Sequence, residues 1–87
     1  MICLKKGIAG TVESNDCMIT VSPSDTLIIE IESIVKDLFG DQIEAVIRKT
    51  LKERGIQTVH VKCLDKGAID YTIKARLLTA LDRLNRK

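Results

Sequence analysis

The residue best placed to do chemistry is Ser14, within Gly10-Thr11-Val12-Glu13-Ser14-Asn15-Asp16-Cys17-Met18. Small polar residues at Ser14-Asn15-Asp16 interrupt two runs with strand periodicity, and Asn and Asp favour tight turns because they tolerate left-handed backbone angles. A hydroxyl at such a tip faces solvent. Using it as a nucleophile needs a base and an orienting acid, but the sole imidazole, His60, lies on a different run, and no G-x-S-x-G surrounds the serine. Glu13, Asp16 and Asp25 are imaginable metal ligands, but three carboxylates near a turn read more simply as solvated. Gly7 and Gly10 flank a strand, and no G-K-[ST] follows to make a phosphate cradle.

The cysteines Cys3, Cys17 and Cys63 are odd in number and widely spaced. With no C-x-x-C pair and one histidine, they suggest neither a disulfide framework nor a zinc site, and a reduced, cytoplasmic setting is the default. Cys17 reads as a packing or strand-edge residue.

The basic residues Arg48, Lys49, Lys52 and Arg54, with Lys74, Arg76, Arg83, Arg86 and Lys87, form the other candidate surface. Glu44 and Glu53 alternate with the first group, which favours a solvated face over docking to an acidic protein. RNA binding ranks last, because Phe39 and Tyr71 are the only aromatic residues and a sheet-based RNA binder stacks bases on aromatics. A net charge of +2 calls for no polyanionic partner. No run approaches the ~18 apolar residues that span a bilayer, and Met1-Ile2-Cys3-Leu4-Lys5-Lys6 lacks the apolar region of a signal peptide.

The elements that position these residues follow from hydrophobic periodicity. Eighty-seven residues, 45% hydrophobic and 30% charged, make one small domain over 1–87 with an Ile/Leu/Val core. Residues 8–13 and 17–22 alternate with period two and predict a hairpin. Pro23 ends the pairing, since proline cannot donate to a ladder, and residues 27–32 make a third strand. The period then changes to about 3.6: Val35, Leu38, Phe39, Ile43, Val46, Ile47 and Leu51 predict a turn of helix to Phe39. A main helix follows from about Asp41, where Asp41-Gln42-Ile43-Glu44 has capping-box spacing, to Arg54, with one kinked helix as the alternative. Gly55 fits the stop. Residues 56–63 return to period two, with Val59, Val61 and Cys63 inward and His60 outward.

Leu64-Asp65-Lys66-Gly67 predicts a turn with Asp65 as helix cap. A last helix runs from about Gly67 to Asn85, and Arg83, Arg86 and Lys87 complement its dipole. A strand over 68–73 is the alternative start. The expectation is an α+β fold, β-β-β-α-β-α, a small mainly antiparallel sheet with helices packed on one face.

A small, sturdy domain with an exposed hydroxyl and no catalytic constellation suits a carrier, whose attachment atom is activated by another enzyme. The segment Ala9-Gly10-Thr11-Val12-Glu13-Ser14-Asn15-Asp16-Cys17-Met18 resembles the N-terminal signature of the citrate lyase acyl carrier proteins, the gamma subunits of that enzyme. The likeness continues through Val21-Ser22-Pro23, Phe39-Gly40-Asp41, Asp65-Lys66-Gly67-Ala68-Ile69-Asp70 and Lys74-Ala75-Arg76-Leu77, in order and over nearly the whole chain.

The resemblance implies a non-catalytic carrier for citrate cleavage to acetate and oxaloacetate. Ser14 matches the family serine that bears 2'-(5''-phosphoribosyl)-3'-dephospho-CoA through a phosphodiester. The arm's thiol holds acetyl and then citryl as thioesters. The implied partners are an alpha acyltransferase subunit, a beta citryl lyase subunit and the transferase that attaches the prosthetic group. Glu13 and Asp16 flank the added anion, so the arm is expected to extend into solvent. The malonate decarboxylase carrier, with the same type of group, is the nearest rival. An acidic bundle with a D-S-L motif, as in fatty-acid carriers, is absent. Outside that family, the readings are a non-covalent protein- or RNA-interaction module and a small hydrolase using Ser14.

Overall fold

A computed structural model of the chain describes residues 6–85. Cys3, Arg86 and Lys87, to which expectations were attached above, lie outside them. The elements run β1 (Gly7–Gly10), β2 (Cys17–Ser22), β3 (Leu27–Ser33), α1 (Lys36–Glu53), β4 (Val59–Asp65) and α2 (Asp70–Leu84). This is the order read from periodicity.

The four strands form one sheet in the order β1-β2-β4-β3. β1 pairs antiparallel with β2, and β2 antiparallel with β4, in a register that sets Cys17 opposite Asp65 and Ser22 opposite His60. The third pairing, β3 with β4, is parallel. Parallel neighbours need a crossover, and α1 supplies it.

Alternation along the strands decides which face is covered. Cys17, Ile19 and Val21 of β2 and Val59, Val61 and Cys63 of β4 are buried. Against them pack Ile43, Ile47 and Leu51 of α1 and Ile73, Leu77, Ala80 and Leu81 of α2. Both helices contact the sheet and each other. The other face carries Ile28, Glu30, His60 and Lys62 and stays open. Strand β1 lies tightly on α2: a Cβ at Gly7 would stand 1.9 Å from the Ala80 carbonyl oxygen and 2.7 Å from the Leu84 nitrogen.

Several boundaries differ from expectation. Helix α1 runs unbroken through Gly40, because a helical glycine costs only about 1 kcal/mol and the packed turns beyond it outweigh that. The capping-box spacing at Asp41 therefore caps nothing. Gln42 instead reaches across to Asp70, and Glu44 pairs with Arg48 at 2.8 Å. Strand β4 extends through Leu64 and Asp65, so Asp65 is a buried strand end and not a helix cap. Its carboxylate accepts the Gly67 and Ala68 amides at 3.2 and 2.9 Å, holding those residues out of the helix, and α2 begins at Asp70.

Leu38 and Phe39 were read as part of the helix's apolar face. They are exposed, Leu38 by 79%, and the buried face of α1 begins only at Ile43. The helix stops as expected, with the Gly55 amide closing on the Lys52 carbonyl at 3.0 Å. Among the described residues, no helix is long and apolar enough to cross a membrane.

Among the described residues, four of the basic side chains pair with carboxylates, Arg48 with Glu44, Arg54 with Asp82, Lys74 with Glu53 and Arg76 with Asp16. Arg83 donates to the Ile8 carbonyl. Acidic partners therefore interleave with these cations on both helices.

Candidate functional site

The hairpin connection is longer than periodicity suggested. Strand β1 ends at Gly10, and residues 11–16 form the loop. Two conditions at Gly10 end the strand there. Its φ is +97°, and a Cβ would stand 1.8 Å from the Cys17 carbonyl oxygen and 3.2 Å from the Arg76 side chain. Only glycine lets the chain turn this sharply with an arginine passing beside it.

The tip is the turn Glu13-Ser14-Asn15-Asp16, closed by the Asp16 amide on the Glu13 carbonyl at 3.2 Å. Asn15 has φ +66°. A positive φ at the third residue is what a type II turn requires, and Asn tolerates it better than most non-glycine residues. Ser14, the second residue of the turn, is exposed. Its hydroxyl takes no part in the hydrogen bonds that hold the loop.

Those bonds converge on Asp16. Its carboxylate accepts the Thr11 hydroxyl at 2.7 Å, the Cys17 amide at 2.7 Å and both Nε and a terminal nitrogen of Arg76 at 3.0 Å. The Arg76 hydrogen bonds, followed by those from Thr11 and the Cys17 amide, lower the Asp16 pKa to about 2. Asp16 therefore does not stand beside Ser14 as an unbalanced charge, as the sequence suggested. It is turned inward and neutralised, leaving Glu13 as the exposed carboxylate of the turn.

A second anchor ties the loop to the segment after β4. The Asn15 amide donates to the Lys66 carbonyl at 2.8 Å, and the Lys66 amide to the Asp16 carbonyl at 2.9 Å. Asp65, next in line, also accepts the Ser33 hydroxyl at 2.7 Å, and the Ser33 oxygen in turn accepts the Val35 amide at 3.0 Å. One buried carboxylate thus joins the ends of β3 and β4 to the segments that lead into α1 and α2.

The other candidates fall elsewhere. His60 pairs with Glu30 on the open sheet face, opposite Ser22 and five residues along β4 from Asp65. That is about 17 Å at strand rise, so His60 is no base for Ser14. Asp25 sits in the β2–β3 connection at the far end of the sheet, and no group of three potential metal ligands occurs among the described residues. Cys17 is fully buried and belongs to packing, as expected. A hydrogen bond to Cys17 and burial both push the Cys63 thiol up, keeping it protonated.

Arg76, Thr11 and Asp65 fall within the motifs quoted above, but their part in supporting this loop was not read from them. Arg76 lies 60 residues from Asp16, and nothing in its own segment points to that partner.

A family model described as the malonate decarboxylase delta subunit, an acyl carrier protein model, matches residues 4–84. The citrate lyase acyl carrier protein of Streptococcus mutans is 49% identical over 78 residues, covering 87% of this chain and 76% of that protein. Those of Lactobacillus acidophilus and Halothermothrix orenii are 52% and 47% identical, covering 87% and 90% of this chain and 79% and 84% of theirs. Among solved structures, a chain of a Pseudomonas malonate decarboxylase hetero-tetramer in complex with malonate superposes with a TM-score of 0.80 over 93% of this chain and 84% of that one. At 14% identity that likeness concerns the fold. With a family match over almost its full length and relatives near half identity, the chain belongs to the citrate lyase acyl carrier protein family.

Proposed function

We propose that this chain is the acyl carrier subunit of a citrate lyase and that Ser14 is where 2'-(5''-phosphoribosyl)-3'-dephospho-CoA is joined through a phosphodiester. The observation that carries this reading is the contrast within one loop. Ser14 is exposed and takes no part in the loop's hydrogen bonds, while its neighbours are pinned by Arg76, Thr11 and Lys66. Such a residue can be modified without loosening the fold.

The donor set fits an added phosphodiester. Asp16 already has its charge balanced by Arg76, so the loop opposes a new anion less than its sequence implies. When attached, the group supplies a thiol that carries acyl groups as thioesters. The chain's own part is to hold Ser14 on a rigid stalk, so that a tethered thiol reaches two sites at high effective concentration. Those sites belong, on this reading, to the alpha and beta subunits of a hetero-oligomer, with the attaching transferase as a third partner in a reducing, cytoplasmic setting.

Mass spectrometry of protein from its native host tests the assignment. The expected result is a coenzyme-A-derived adduct on the peptide containing Ser14, and no loading of Ser14→Ala. An active lyase complex whose carrier is wholly unmodified would remove the proposal. The malonate decarboxylase reading draws on the family model and the solved neighbour. Loaded protein that restores malonate decarboxylation, and not citrate cleavage, would favour it.

A further inference from the structure

Beside the Ser14 loop lies a groove of about 550 Å³, between the first turns of α1 and α2, whose lining includes Val35, Phe39, Gln42, Ile69, Asp70 and Tyr71. The chain has one phenylalanine and one tyrosine, and both line this groove. Neither is buried: Phe39 is 48% and Tyr71 79% exposed. A chain this poor in aromatics gains little core stability from placing both in water.

We propose that this groove is a purine-binding site that holds the adenine of the arm on Ser14, a reading that rests on the attachment proposed above. Exposed aromatic rings are stacking platforms for a base. The polar groups suit adenine. Gln42 and Asp70 meet across the groove, the amide nitrogen donating to both carboxylate oxygens at 2.9 and 3.1 Å. A carboxylate accepts from an exocyclic amino group, and an amide donates to a ring nitrogen.

The tether is close enough. Gly67 lines the groove, and the side-chain oxygen of Asn15, the residue after Ser14, lies 3.7 Å from where a Gly67 Cβ would stand. The groove is also built rigidly on that side, since Asp65 holds the Gly67 and Ala68 amides. Seating the adenine would shorten the free part of the arm to its pantetheine end. This replaces the expectation that the whole arm extends into solvent.

Titration of the bare chain by NMR tests the groove without any lyase activity. 3'-Dephospho-CoA is expected to shift the Phe39 ring, Ile69 methyl and Tyr71 ring resonances, whereas 4'-phosphopantetheine, which lacks adenine, leaves them in place. Tyr71→Ala should weaken dephospho-CoA binding about tenfold, and Tyr71→Phe should retain it. In protein loaded on Ser14, the same three residues should shift relative to the bare chain.

Equal responses to the two probes, or none at millimolar dephospho-CoA, would overturn the proposal. So would rings that respond to the partner subunits and not to the nucleotide, which would make the groove a protein-docking surface. Free dephospho-CoA reads the groove whichever residue carries the group, so loss of the Ser14 assignment by mass and loss of the groove by titration are separate results.

Discussion

Arg76 grips both carboxylate oxygens of Asp16 at 3.0 Å across 60 residues of chain, fastening the base of the Ser14 turn to the second turn of α2. Planar two-point pairing fixes orientation as well as charge. Removing it as Arg76→Ala should leave the core intact and loosen the loop. Amide exchange at Asn15 should quicken about tenfold, while core amides such as Ile19 and Val61 change far less. Arg76→Lys should restore little of the protection, since a point charge cannot reproduce the fork. Equal quickening in loop and core would show that the pair supports the whole fold and not the loop.

Acid should reveal the same pair. The Asp16 pKa is held at about 2 in the folded protein against 3.8 as its ordinary value. A carboxyl lowered by folding contributes stability that is fully present above the ordinary value and lost as pH falls through the folded one. The contribution of Asp16 should therefore be constant above pH ~5 and fall away from about pH 4 to pH 2. Urea unfolding of wild type and Asp16→Asn across that range checks it: the gap between them should close toward pH 2. A gap that stays constant would mean that Asp16 has no lowered pKa.

Asp65 should be the most costly polar residue to remove. It is buried and accepts from the Ser33 hydroxyl and from the Gly67 and Ala68 amides. Asp65→Ala strands these donors and should destabilise the fold by about 3 kcal/mol in denaturant unfolding. Asp65→Asn, which keeps an acceptor, should cost less. A near-neutral Asp65→Ala would show that water replaces the carboxylate.

Gly10→Ala should be destabilising by more than about 2 kcal/mol, because the new methyl meets the Cys17 carbonyl at a backbone angle that side chains disfavour. Thermal melting of this variant beside Gly55→Ala separates the two causes. Gly55 also has positive φ, but its Cβ meets nothing within 4 Å. A larger loss at Gly10 would isolate the clash.

Short-range pattern carried much of the fold. The alternation of Cys17, Ile19 and Val21, and of Val59, Val61 and Cys63, identified the buried sheet face because period two leaves no other reading. What escaped was long-range or competitive. Nothing local distinguishes a parallel β3–β4 pairing from an antiparallel one. Gly40 and the box at Asp41 suggested a break that tertiary packing overrode. Asp65 looked like a cap because the chain does turn there, but its amide partners belong to a loop and not to a helix. At the site, the signature segment singled out Ser14. Arg76 fell within a segment of the family likeness, but its pairing with Asp16 was not legible there, since that partner comes from the other end of the chain.

The close packing of Gly7 on Ala80 and Leu84 has a practical reach. It draws the start of β1 and the end of α2 together at the end of β1 opposite the Ser14 loop. A label or surface linkage attached near Gly7 would act as a handle, about 13 Å of strand away from the loop. Immobilised from that end, the chain keeps its exposed Ser14 turn clear.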